Sequence, residues 1–295
     1  MEMIIQLLVS GISLGGIYAL LSFSFSMVIS TTRILNIAHG VFFIWGAAIC
    51  AIMVMHLKLH PGIVLPFFIV VFAAIAYFFY IAVVKVLMKK GSHYILSGSI
   101  LATFGLALAM ESLMNTLWVA FIDPTPTFML RMELPPIEFA GMMIPSNRLA
   151  VILLGAVMII IFHFLLTKTF LGKSARAMAQ NLDGFLVLGL NPQRITLFVI
   201  VVTTIIIAAS GALYSLVIPL EVYEGLPLTL KALTIIILAG VGSLPGTIAA
   251  GVLLGMAEVI GSFYLGSVWA PVISFAILFL VLIVKPSGFF GRVSI

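Results

Sequence analysis

Charge is what this chain has least of. Asp, Glu, Lys and Arg together make up 8% of 295 residues, and only 9 residues are acidic. A soluble domain carries about 25% charged residues, so this chain could not cover a water-exposed surface. No stretch is polar enough to form a separate soluble domain. Cysteine is nearly missing too: the single Cys50 sits in an apolar run and excludes an internal disulfide framework. Neither HExxH nor paired Cys/His ligand spacing occurs, so no metal site is visible and no enzyme chemistry is expected. Gly172-Lys173-Ser174 looks like the end of a phosphate-binding loop. Thr167 stands where that motif needs its earlier glycine, however, and an apolar run precedes it instead of a strand. No ATP site is expected by that route, and no cofactor.

What is present is apolar. Hydrophobic residues make up 63% of the chain, and the mean hydropathy is +1.35. At roughly 20 residues per transmembrane helix, the length accommodates eight or nine spans with short loops. The expected fold is therefore all-α: a single polytopic transmembrane bundle over residues 1–295. The net charge of +5 is spread over loops, which makes it an orientation signal and not a nucleic-acid surface. The start, MEMIIQLLVS, has no basic n-region, so the first helix is expected to be retained as a span.

Basic loops order the chain. Arg33 follows a first span from about Ile4 to Ile29, and Lys85, Lys89 and Lys90 follow the third. The most polar stretch, residues 168–194, carries Lys168, Lys173, Arg176 and Arg194 against the lone Asp183. It lies between the runs Leu149–Leu166 and Ile195–Leu220, and the positive-inside rule makes it cytoplasmic. Its interior, Ser174 to Leu188, is expected to form a short helix with an apolar edge of Leu182, Phe185, Leu186 and Leu188, stopped by Gly189 and Pro192. Residues 122–147 form the long external loop, where Asp123, Glu133 and Glu138 roughly balance Arg131 and Arg148 and five prolines oppose continuous helix. These signs put the N-terminus outside and the C-terminal tail, with Lys285 and Arg292, in the cytoplasm.

Two breaks interrupt the apolar pattern. One holds Asn36, His39 and Gly40; the other runs from Gly240 through Gly242, Ser243, Pro245 and Gly246. Broken apolar segments in corresponding positions of two halves point to inverted repeats around a central pathway or gate. They could equally be tight turns at the membrane surface. Glu111 and Glu258 are carboxylates within spans, and each should face the protein interior or be protonated, because a lipid-facing charge costs at least about 2.5–3.5 kcal/mol. Glu258 shares a face with Gly251 and Gly255, a GxxxG pair that matches Gly11 and Gly15 in the first span. His163, without an acidic neighbour in sequence, reads as a buried hydrogen-bonding histidine.

Three stretches carry a resemblance: GISLGGIYAL with ILNIAHGVFFIWGA, then KALTIIILAGVGSLPGTIAAGVLLGMAE, and the ending Ala276–Gly291 that closes in KPSGFFG. Together they resemble the LivH-type permeases of branched-chain amino acid ABC transporters, along nearly the whole chain and in the same order. Ala239 stands where that family commonly has glycine, and Val41 where it usually has an acidic residue. The resemblance implies one half of a heterodimeric pore in the bacterial inner membrane. A paralogous LivM-type permease, two cytoplasmic ATPase subunits that bind the ATP, and a periplasmic solute-binding protein would complete the importer. It makes residues 168–194 the coupling loop, with Arg176, Asn181, Asp183, Gly189 and Pro192 at the ATPase contact, and residues 122–147 a periplasmic loop. Similar permeases serve urea, short amides and aromatic acids. From the residues alone, an ion-coupled secondary transporter using Glu111 or Glu258, or a passive channel, also remains open.

Overall fold

The computed structural model describes residues 2–89, 92–130, 135–139, 142–240, 242–285 and 288. Lys90, Arg131, Glu133 and Arg292 lie outside the described residues. Helix dominates, as uninterrupted apolar sequence in lipid requires: only a helix satisfies every backbone group within its own segment. Among the described residues nine helical segments are long and apolar enough to cross a membrane, from Met3–Thr32 to Ser267–Val284. The protein is a polytopic transmembrane helical bundle.

The chain begins with α1 (Glu2–Thr32), and α2 (His39–Ala51) continues through one π-helical turn to His56. α3 (Pro61–Phe79) passes through a second π turn into the short α4 (Lys85–Met88), and α5 (Ser92–Phe121) returns. The external segment contains β1 (Thr127–Phe128) and the hairpin β2 (Ile137–Phe139) and β3 (Met142–Ile144). In the turn that leads into it, the Thr125 hydroxyl and amide donate to Asp123 and hold its carboxyl below the usual range. α6 (Ser146–Lys168), α7 (Phe170–Gln180), α8 (Leu182–Val187) and α9 (Pro192–Ser215) follow. β4 (Leu220–Glu221) pairs with β1, and α9 ends at Ser215, short of the apolar run that reaches Leu220. α10 (Gly225–Ala239), α11 (Leu244–Leu265) and α12 (Ala270–Val284) complete the chain.

Small residues set the tightest crossing. A Cβ built on Gly255 would lie 2.5 Å from the Gly15 nitrogen, and one built on Gly15 would lie 2.5 Å from the Val252 Cα. The two GxxxG stripes therefore face each other, α1 on α11, with backbone touching backbone. A second such contact joins α2 to α9, where Gly46 abuts Ala208 and Gly211 abuts Phe43. The mainly buried helices α1, α2, α9 and α10 form the centre. α3, α5, α6 and α12 surround them and turn apolar faces outward, as Phe78, Leu101, Ile160 and Val284 show. His163 points outward as well, which corrects the expectation of a buried histidine. It lies on the flank of α6, between the buried Phe162 and Leu166 and the outward Ile160 and Phe164.

Candidate functional site

The first break is a descent into the bundle. α1 ends at Thr32, Arg33 adopts a left-handed φ of 59°, and residues 34–38 run back alongside α1 before α2 starts at His39. His39 Nε2 lies 3.0 Å from Ser24 Oγ and 3.2 Å from the Leu21 carbonyl, and its ring stacks on Phe25. Ser24 lies eight residues before Thr32, so α2 begins about 12 Å inside the end of α1 at ~1.5 Å per residue. Backbone that is not helical at this depth needs partners from elsewhere. α5 supplies them one turn apart: the Leu35 and Ile37 amides donate to Ser99 Oγ at 3.2 Å and Thr103 Oγ1 at 2.9 Å.

The second break meets the same stretch of α1. Gly240 and Gly242 hold φ values of 86° and 82°, conformations that end α10 without strain only because neither carries a Cβ. The Gly242 amide donates to Ser26 Oγ at 2.7 Å. Ser243 then caps α11 by accepting from the Gly246 amide at 3.1 Å, and Pro245 occupies its first turn. The breaks are thus held by Ser24 and Ser26, two residues apart on one helix. Asn36, His39, Gly40 and Gly246 are buried, whereas Gly242 and Pro245 are exposed.

The N-terminus of α2 also meets that of α10. The Gly40 amide donates to Thr229 Oγ1 at 2.8 Å, and Gly40 presses against the Gly225 carbonyl. Glu111, 8% exposed, directs Oε1 at Gly225 in this junction. Two helix N-termini converge there.

Glu258 has a different role. Lys231 Nζ lies 3.0 Å from its Oε1, and the Tyr18 hydroxyl donates to Oε2 at 2.7 Å. Lys231 also donates to the Tyr18 oxygen at 2.8 Å, and Ser274 donates to Glu258 Oε1. Four helices, α1, α10, α11 and α12, are tied by this cluster.

The family model described as "Branched-chain amino acid transport system / permease component" matches residues 7–282. The chain belongs to this family. It is 28% identical to the high-affinity branched-chain amino acid transport system permease protein LivH of Salmonella typhimurium, over 98% of this chain and 96% of that protein. To the corresponding permease protein BraD of Pseudomonas aeruginosa it is 25% identical over the same shares. A probable branched-chain amino acid transport permease protein LivH of Methanocaldococcus jannaschii is 22% identical, over 97% and 92%. No solved structure matches the chain significantly.

In this permease the polar loop is two helices and not one. Asn181 breaks it with φ −153° and ψ 103°, and its side chain accepts from the Gly184 amide at 2.9 Å, capping α8. An asparagine that can cap competes with helix continuation, so the expected single helix from Ser174 to Leu188 divides at Asn181. α7 lays Gly172, Ser174, Ala175 and Met178 inward, and Gly172 rests on Leu165 and Leu166. Gly172-Lys173-Ser174 is therefore part of a helix. Phe185 is buried, while Leu182, Leu186, Val187 and Leu188 are exposed. Gly189, at φ 70°, ends the loop helix, and Pro192 opens α9 beneath a cap from Asn191. Arg176 and Asp183 both face solvent.

Sequence reasoning missed Lys231, Tyr18, Ser274 and the hydroxyls of Ser99, Thr103 and Thr229. Lys231 carried a usable signal: it is the one charged residue in the run Leu226–Ala239.

Proposed function

We propose that this chain is one permease half of an ABC importer that carries branched-chain or other small amino acids inward across a bacterial inner membrane. A LivM-type permease completes the pore, two cytoplasmic ATPases supply the energy, and a periplasmic solute-binding protein delivers the substrate. The observation that carries this reading is the helical pair α7–α8. Its exposed tip, Leu182, Leu186, Val187 and Leu188, projects at the end of the bundle where Lys85, Lys89, Lys168, Lys173, Arg176 and Arg194 gather. By the positive-inside rule that concentration of positive charge supports a cytoplasmic placement of this end and an external N-terminus. An apolar tip in water is a docking element, and Arg176, Asn181 and Asp183 flank it with polar groups. Nucleotide-driven movement of the ATPases would push α7–α8 and tilt α6 and α9, to which the pair is joined.

The same reading makes α2 and α10, two short helices meeting N-terminus to N-terminus, the corresponding members of an inverted repeat. The ion-coupled alternative loses one of its two carboxylates, because Lys231 already neutralises Glu258.

The test is purification of the affinity-tagged chain from solubilised membranes, followed by identification of its companions and ATP-driven uptake in reconstituted vesicles. Two ATPases and a second permease, with uptake dependent on ATP and on the binding protein, are expected. Recovery of the chain as a homo-oligomer that transports without ATP would overturn the proposal.

A further inference from the structure

We infer that the outward end of this single chain holds a resting site for a zwitterion, at Arg148 and Glu224, above the Lys231–Glu258 pair. This rests on the amino-acid importer reading above and goes beyond it by placing the solute within this subunit.

The site is a cavity of about 690 Å³, within the range of roughly 300–1,000 Å³ usual for small-molecule sites. Four charged residues reach it: Arg148 at the start of α6, Glu224 just before α10, and the paired Lys231 and Glu258 at its floor. This is an unusual gathering in a chain with 8% charged residues. Leu14, Val217, Ile218, Val259 and Phe263 supply apolar wall.

The charges differ in how far they are satisfied. Glu258 accepts from Lys231, Tyr18 and Ser274, and Lys231 is committed to Glu258 and the Tyr18 oxygen. That pair is internally neutral. Arg148 is different. It is half-buried, its guanidinium donates to the Ser10 hydroxyl, and no carboxylate lies within ion-pair distance among the described residues. Glu224 is half-buried as well; it accepts a hydrogen bond from the Glu221 backbone and has no cation within that distance among the described residues.

A cation and an anion that share one cavity, but not each other, leave two partly desolvated charges with unused hydrogen-bonding capacity. A ligand carboxylate at Arg148 would gain charge-assisted bonds, which are stronger than neutral ones. An ammonium at Glu224 would do the same, and an aliphatic side chain would lie against the apolar wall. A neutral solute would leave both charges unmatched. The site therefore selects an α-amino acid with an apolar side chain, and the Lys231–Glu258 floor bars descent until α10 and α11 separate.

The experiment is equilibrium binding to the assembled importer, without its binding protein, in nanodiscs of phosphatidylglycerol alone. The probes are L-leucine, L-leucinamide, which lacks the carboxylate, and N-acetyl-L-leucine, which lacks the ammonium. L-leucine should bind more tightly than either analogue. Arg148→Ala should weaken L-leucine by about tenfold or more, as expected for loss of a charged hydrogen-bond partner, while it barely changes L-leucinamide. Glu224→Gln should weaken L-leucine but not N-acetyl-L-leucine. This crossed pattern cannot come from misfolding, which would affect all three probes alike. Equal loss of all three, or unchanged L-leucine binding in both variants, would overturn the site. Displacement of L-leucine by phosphoethanolamine at equal concentration would assign the cavity to a lipid headgroup and overturn it as well. Uptake assays separate the two levels. If the intact importer takes up no neutral amino acid, the transport reading fails. If uptake is normal and the crossed pattern is missing, only the site fails.

Discussion

Lys231 on α10 and Glu258 on α11 form an ion pair 3.0 Å long in the interior of the bundle, with the Tyr18 ring 4.7 Å beneath the ammonium. The Glu258 side chain is 4% exposed and that of Lys231 is 18% exposed, so little water screens either group. The pair explains how a carboxylate and an amine are both tolerated within membrane spans: each is the other's counter-charge.

Removing one partner should therefore do more harm than removing both. Glu258→Gln leaves Lys231 uncompensated, and Lys231→Met leaves Glu258 so. Each is expected to destabilise the folded chain by about 3–5 kcal/mol. The double variant should recover a large part of that loss. Thermal unfolding of the four proteins in detergent, set out as a double-mutant cycle, measures the coupling. Strictly additive losses would mean that the pair contributes nothing specific.

The α1–α11 crossing leads to a second prediction. Gly255→Val would drive a side chain into the Gly15 backbone, 2.5–2.6 Å away, where nothing flexible can give. Overpacking of this kind costs about 1–3 kcal/mol. Gly105, whose Cβ would meet open space, is the control and should accept alanine with little effect beyond helix propensity. Melting temperatures of both variants test the contrast, and equal behaviour would remove the close crossing from the argument.

These residues also mark what can be read from a sequence. The spans, the basic loops, the GxxxG stripes and both breaks follow from local hydropathy and spacing, which the bilayer enforces strongly. Lys231 with Glu258, and Ser99 and Thr103 with the Leu35 and Ile37 amides, do not. They join positions 27 to 66 residues apart, and nothing in local periodicity encodes such a partner. The division at Asn181 depended on a capping hydrogen bond that outweighed a continuous helical pattern. His163 is not legible this way either: an imidazole in a span suggests burial, whereas the helical phase of α6 turns it toward the outward Ile160 and Phe164.

Gly189 should report on coupling. Its φ of 70° is left-handed, and a Cβ there would meet open space, so substitution strains only the backbone. For a residue other than glycine that strain is about 1–2 kcal/mol. Gly189→Val is expected to redirect the exit from α8 and lower uptake several-fold, while membrane insertion and ATP hydrolysis by the assembled complex persist. Parallel uptake and ATPase assays on reconstituted vesicles decide this. Unchanged stoichiometry between the two would count against α7–α8 as the transmission element.

The descent of residues 34–38 makes the sharpest demand on single hydroxyls. Thr103 Oγ1 accepts from the Ile37 amide at 2.9 Å and donates to the Ser99 carbonyl at 2.6 Å. Thr103→Val keeps the shape but removes the acceptor, leaving an amide inside the bundle unsatisfied at a cost of about 1–3 kcal/mol. Thr103→Ser keeps the hydroxyl and should restore most of the loss. If the break only needed volume at this position, valine would be the better tolerated replacement and serine the worse one. The opposite order is expected, because the extended backbone at that depth depends on the α5 hydroxyls for partners that a helix would have provided itself. Hydrogen exchange at the Ile37 amide, compared across the three proteins, gives the direct reading: slow in the native chain and in Thr103→Ser, fast in Thr103→Val.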